Sequence, residues 1–108
     1  MTDFSGVIDE FARESDVVGL WQLIAHIRDT LPDLSTQEAM DQTLALVRRM
    51  IERGFEAGDP PYSAGGYRRW SNQNSEYILA RIRIEWKALG RVPDIPDIVW
   101  FLPPAMNN

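Results

Sequence analysis

The sequence contains no cysteine and only one histidine, and its most apolar stretch, Ile98 to Leu102, is bounded by prolines at 96 and 103. Without cysteine there is no disulfide framework, no thiolate metal site and no cysteine nucleophile. That composition suits a reducing compartment, and a cytoplasmic protein is expected. The apolar stretch falls far short of the roughly 18 residues needed to cross a bilayer, and no basic-then-apolar leader opens the chain, so no membrane association is expected.

The lone histidine, His26, cannot assemble a zinc site by itself. It lies within a helical pattern, one residue before an inward-facing isoleucine, and reads as a satisfied or surface side chain. A serine hydrolase would need Ser35, Ser63, Ser71 or Ser75 to meet it, and none of these stands in a nucleophile-elbow context. The glycines of "AGGY" at 64 to 67 lack the spacing and the lysine of a phosphate-binding loop. Carboxylates are plentiful, but they fall on polar helical faces or at caps, where solvation accounts for them without acid–base catalysis. The chain is expected to be no enzyme, and to carry no metal and no cofactor.

What is present is an ordinary globular composition, 44% hydrophobic and 25% charged, which separates it from disordered segments. A length of 108 residues supports one domain over residues 1–108. Phe4, Val7, Ile8 and Phe11 follow the i, i+3, i+4, i+7 rule and place a short helix at the start. Val17, Leu20, Trp21, Ile24, Ile27 and Leu31 predict a second helix, capped by Ser15 or Asp16 and stopped by Pro32. In "LSTQEAM", Ser35 with Glu38 forms a capping box. Met40, Thr43, Leu44, Val47, Met50 and Ile51 carry that third helix to Arg53, with Gly54 as its stop. An extended piece follows at Phe55 to Asp59, then a loop rich in Gly, Pro, Ser and Asn up to residue 74. A last helix over about 75–89 buries Ile78, Ile82, Trp86 and Leu89 and ends at Gly90. Residues 98–102 read as a short core strand pairing with the piece near Phe55. The expected fold is mainly α (α+β): three to four helices with a two-stranded ribbon, winged-helix-like.

Charge is divided unevenly. Residues 1–45 hold nine acids against Arg13 and Arg28, whereas residues 46–108 hold nine bases against seven acids. An acidic half repels phosphate backbones and attracts basic proteins, although acid also serves solubility. Asp29, Asp33, Glu38 and Asp41 flank the turn between the second and third helices and are candidates for an acidic partner-binding patch. Tyr62, Tyr67 and Trp70, in the glycine-rich loop, are candidate aromatic anchors. The competing reading is a winged-helix-like nucleic-acid binder using Tyr67, Arg68, Arg69 and Trp70 with Arg81, Arg83, Lys87 and Arg91. It lacks the dominant basic face expected of such a domain.

The segment Glu85-Trp86-x-x-Leu89-Gly90-Arg91, followed by Pro93-Asp94 and Asp97-Ile98-Val99-Trp100-Phe101, resembles small bacterial immunity proteins of the contact-dependent growth inhibition (polymorphic toxin) type. Ile51 to Asp59, with "ERGFEAGD", is similar as well, and the likeness runs over residues 17–103. It rests on core and turn residues, so it carries no binding residue onto this chain. It implies a cytoplasmic protein that binds the toxic C-terminal domain of a cognate effector, often a nuclease. Inhibition would follow from occlusion of the toxin's cleft, with carboxylates standing where nucleic-acid phosphates would lie.

Overall fold

The computed structural model describes residues 3–14, 16–61 and 66–104. They form four helices, α1 (Ser5–Arg13), α2 (Leu20–Thr30), α3 (Thr36–Glu52) and α4 (Ser75–Leu89). With them go four short strands, β1 (Val18–Gly19), β2 (Glu56–Asp59), β3 (Arg68–Arg69) and β4 (Trp100–Leu102). The class is α+β, as the sequence led us to expect. Ile8, Leu20, Leu23, Ile27, Leu46, Val47, Met50, Ile78, Ile82 and Phe101, drawn from all four helices and β4, share one buried core.

The third helix begins as its sequence dictates. The Glu38 amide donates to the Ser35 hydroxyl at 3.1 Å and the Ser35 amide donates to the Glu38 carboxylate at 2.9 Å, which closes the capping box. Gly54, at φ 99°, and Gly90, at φ 73°, take the left-handed conformation that stops α3 and α4 at low steric cost. Asn74 caps α4, its side chain accepting from the Glu76 amide at 2.9 Å.

The second helix starts later than its periodicity suggests. Val17 lies outside it, and Val18 and Gly19 leave the helical pattern to pair with β4. Gly19 is the N-cap, with extended backbone, and its amide donates to the Gln22 side chain at 2.8 Å. Asp16 caps nothing helical: its carboxylate accepts from the amide of Val17 at 2.8 Å. Ser15, the other expected cap, lies outside the described residues.

The expected ribbon is present and is the centre of something larger. β2 and β4 pair antiparallel, Glu56 with Leu102, Ala57 with Phe101 and Gly58 with Trp100. β1 adds to the far side of β4 and β3 to the far side of β2, giving the order β1-β4-β2-β3. β3 escapes a reading of apolar alternation because both its residues are arginines exposed to solvent. β4 is therefore an interior strand. Val99 and Phe101 are fully buried, and the Trp100 indole donates to the carbonyl of Ile95 at 3.0 Å. Leu89, expected inside, is half-buried at the end of α4.

Candidate functional site

The four carboxylates flanking the α2–α3 turn are all exposed, but the fold uses them differently. Asp41 faces α4, where its carboxylate lies 3.3 Å from the Arg83 guanidinium, and it also accepts from the Gln37 side chain at 3.0 Å. Glu38 is occupied by the capping box. The Ser35 amide it accepts holds its carboxyl below the usual carboxylate range, so it stays charged at neutral pH. Asp29 and Asp33 have no ion-pair partner among the described residues. The patch expected from sequence thus contracts to Asp29, Asp33 and the charge of Glu38, with Asp41 drawn into the α3–α4 contact.

The aromatic candidates also separate. Tyr62 lies outside the described residues. Tyr67 is half-buried, its ring lying over Gly58 so closely that a Cβ there would come within 2.6 Å of it. Burial pushes the Tyr67 phenol well above its usual pKa, and the Glu56 carboxylate adds to the effect. Trp70 folds back into the core at 4% exposure. Its indole donates to Asp59 at 2.9 Å and Arg81 stacks 3.7 Å over its ring. A buried, hydrogen-bonded and stacked tryptophan is a structural anchor for the loop, which corrects its reading as an exposed contact residue.

Gln73 completes this bracket. Its side chain accepts from the Ala57 amide and donates to the carbonyls of Ala57 and Trp70, each at 2.8 Å. One carboxamide therefore satisfies backbone groups of β2 and of the residue that follows β3, beside the Trp70 amide that donates to Ala57.

The basic residues of the second half are mostly neutralised. Arg48 pairs with Glu76, Arg53 with Asp9, Arg69 with Glu56, Arg81 with Glu85 and Asp59, Arg83 with Asp41, and Arg91 with Asp97. Among the described residues, the acids left without an ion pair are concentrated early in the chain: Asp3, Glu10, Glu14, Asp16, Asp29, Asp33 and Glu38, then only Glu52 and Asp94. The unevenness seen in the sequence is sharpened by folding.

Large apolar side chains stay exposed at Tyr77 and Ile84 on α4 and at Val92 and Ile95 in the loop after it, with Ile84 the most exposed at 68%. Sequence reasoning passed over all four. Ile84 was masked by the alternation in "RIRIEW", where Ile82, Ile84 and Trp86 look alike; on the helix Ile82 and Trp86 turn inward and Ile84 does not. Two grooves run along the seam of α3 and α4 on either side of the Asp41–Arg83 pair. One is lined by Leu44, Ala45, Leu79 and Ala80 between the two flanking ion pairs. The other, about 260 Å³, is lined by Thr36, Met40, Trp86, Gly90 and Val92, with Lys87 and Arg91 on its edge.

His26 is half-buried on α2, and no group of three or more potential metal ligands occurs among the described residues. No helix among them is long and apolar enough to cross a membrane. Compared with known proteins, the chain matches no family model, no curated protein and no solved structure.

Proposed function

We propose that the chain is an inhibitory protein-binding domain of the immunity type, which binds a basic toxin domain and covers its active site. The observation that carries this reading is the division of charge after folding. Of the cations a nucleic-acid binder would use, Arg69, Arg81, Arg83 and Arg91 each lie within 4 Å of a carboxylate, which leaves only Arg68 and Lys87 without an ion pair among the described residues. A phosphate would have to displace Glu56, Glu85, Asp41 or Asp97 to reach the four paired arginines. Asp29, Asp33 and Glu38 instead present negative charge to solvent, which steers toward a basic protein surface and repels nucleic acid. The toxin cleft is taken to be that of a nuclease, as the resemblance in residues 80–103 implies, because a cleft built for phosphates attracts carboxylates.

The test is a capture experiment with the tagged chain at low and at physiological salt, followed by reconstitution with the captured protein. We expect a single effector, or its basic C-terminal fragment, whose activity is abolished at equimolar chain. Retention of duplex DNA with a steep salt dependence, and no protein partner, would overturn the reading.

A further inference from the structure

The side of α4 that faces the core is made by Ile78, Ile82 and Trp86, all buried. At 3.6 residues per turn the opposite side carries Ala80 and Ile84 along its middle, with Tyr77 and Ala88 on one flank and Glu76 and Lys87 on the other. All six are exposed. A surface helix ordinarily turns charged and polar side chains outward, whereas α4 turns out Tyr77, Ala80, Ile84 and Ala88.

This face has relief. A hollow of about 310 Å³ lies between Tyr77 and Ile84, lined also by Ala80 and by the Arg81–Glu85 pair. Ala80 lines a second hollow on the α3 side as well, with Leu44, Ala45 and Leu79. Ile84, 68% exposed, is therefore a knob, and the Ala80 position one helical turn before it is a hole.

Along the chain the apolar residues of this face run large, small, large, small: Tyr77, Ala80, Ile84, Ala88. Reversal exchanges every large residue for a small one. About a two-fold axis crossing the helix at the level of Ile82, an antiparallel copy sets Ile84 on Ala80 and Tyr77 on Ala88. The same axis keeps Glu76 and Lys87 on one flank, so each meets the opposite charge of the other copy. Lys87 has no ion pair among the described residues, and the Glu76 side chain stays 73% exposed although Arg48 holds one of its oxygens at 2.7 Å. A partner of a single sign would gain at one of these charges and lose at the other. A parallel copy would set Glu76 against Glu76 and knob against knob. A reversed copy of the same helix gains at both ends and in the middle.

We propose that α4 forms the contact of a symmetric, antiparallel homodimer, in which Ile84 of each copy enters the hollow at Ala80 of the other and Glu76–Lys87 pairs close the two ends. The contact is isologous, the same residues serving on both sides. A helix of 15 residues is about 22 Å long, and a contact of that length falls at the small end of specific interfaces, so the dimer is weak and reversible. The proposal does not rest on the inhibitory reading. Asp29 and Asp33 are not part of this face and stay available to another partner.

The test is sedimentation of the full chain at concentrations from about 1 µM to about 1 mM. We expect a reversible shift from the 12.4 kDa monomer toward twice that mass. Ile84→Glu should weaken association about tenfold or more without changing the circular dichroism spectrum or the unfolding midpoint, because the side chain it replaces is exposed. Glu76→Lys and Lys87→Glu should each weaken self-association about threefold or more. An equimolar mixture of those two variants should recover it, since only the mixed dimer restores opposite charges at both ends. A monomer across the whole range, a dimer indifferent to Ile84→Glu, or a mixture no better than its components would overturn the proposal. So would a monomeric parent that captures a protein partner which Ile84→Glu loses, because the face would then belong to that partner.

Discussion

The strand end of the molecule and the α2–α3 turn use polar groups in opposite ways. Around β2, β3 and β4, carboxylates and amides are committed to the fold. Asp97 holds Arg91 and the Asp94 amide, Asp59 holds the Trp70 indole, Glu56 holds Arg69, and Gln73 holds two carbonyls and an amide. In the turn, Asp29 and Asp33 make no ion pair among the described residues and point into water. A group with a structural partner is explained by stability. A charge without one costs self-repulsion and gains nothing for the fold beyond solubility, so function has to be sought where such charges gather.

The largest effect that would sharpen this contrast is expected at β4. Phe101→Ala removes a fully buried ring from the middle strand and should cost about 3–5 kcal/mol in denaturant unfolding. A cost under about 1 kcal/mol would mean that the strand end is not the core we describe. Gly19→Ala comes next. A Cβ there would sit 2.6 Å from Trp21 and 2.8 Å from Trp100, both ring atoms of packed indoles, and overpacking of this kind costs about 1–3 kcal/mol. A neutral result would show that the indoles give way.

A pH titration probes the committed carboxylates. The Arg91 guanidinium, and then the Asp94 amide, hold the Asp97 carboxyl below its ordinary 3.8. A carboxyl whose folded pKa is depressed stabilises the fold above its unfolded pKa and loses that contribution as pH falls through the folded value. Stability should therefore fall off below about pH 4 in the parent, and that acid branch should be shallower in Asp97→Asn, as followed by thermal unfolding. Identical branches would remove Asp97 from the committed set. The smallest effect on folding is expected in the turn. Asp29→Lys/Asp33→Lys should change stability by no more than about 0.5 kcal/mol, yet slow association with a basic partner at low salt. A large loss of stability, or an unchanged association rate, would break the contrast.

These differences also decide what was legible in the sequence. Helix termini were readable where a local rule acts, as at Ser35 with Glu38, Gly54 and Gly90, because capping depends on neighbours in the chain. The pairing of β2 with β4 was readable because apolar content marked the second strand. β1 and β3 were not: each has two residues, one lay inside a helical period, and the other is a pair of exposed arginines whose structure comes from backbone pairing alone. At the candidate surface, Asp29 and Asp33 were legible as exposed charge. The capture of Asp41 by Arg83 and the burial of Trp70 depend on contacts across 42 residues and 11 residues of chain, which local patterns do not carry. The groove at Met40, Trp86 and Val92 joins two helix ends and a loop, and only the antiparallel packing of α3 and α4 creates it.

The position of β4 has a consequence for how the sheet comes into being. β1 and β2 do not touch each other in the sheet order; each pairs with β4, which comes after both in the chain. Until residues 100–102 arrive, the earlier strands are a lone dipeptide and a two-residue-wide hairpin, neither of which is stable in water by itself. The complete sheet therefore requires a closure of the chain from Val18 to Phe101, and long closures of this sort slow folding. The loop between α4 and β4 shares in this closure, because the Trp100 indole ties the Ile95 carbonyl to the strand that both outer pairs need.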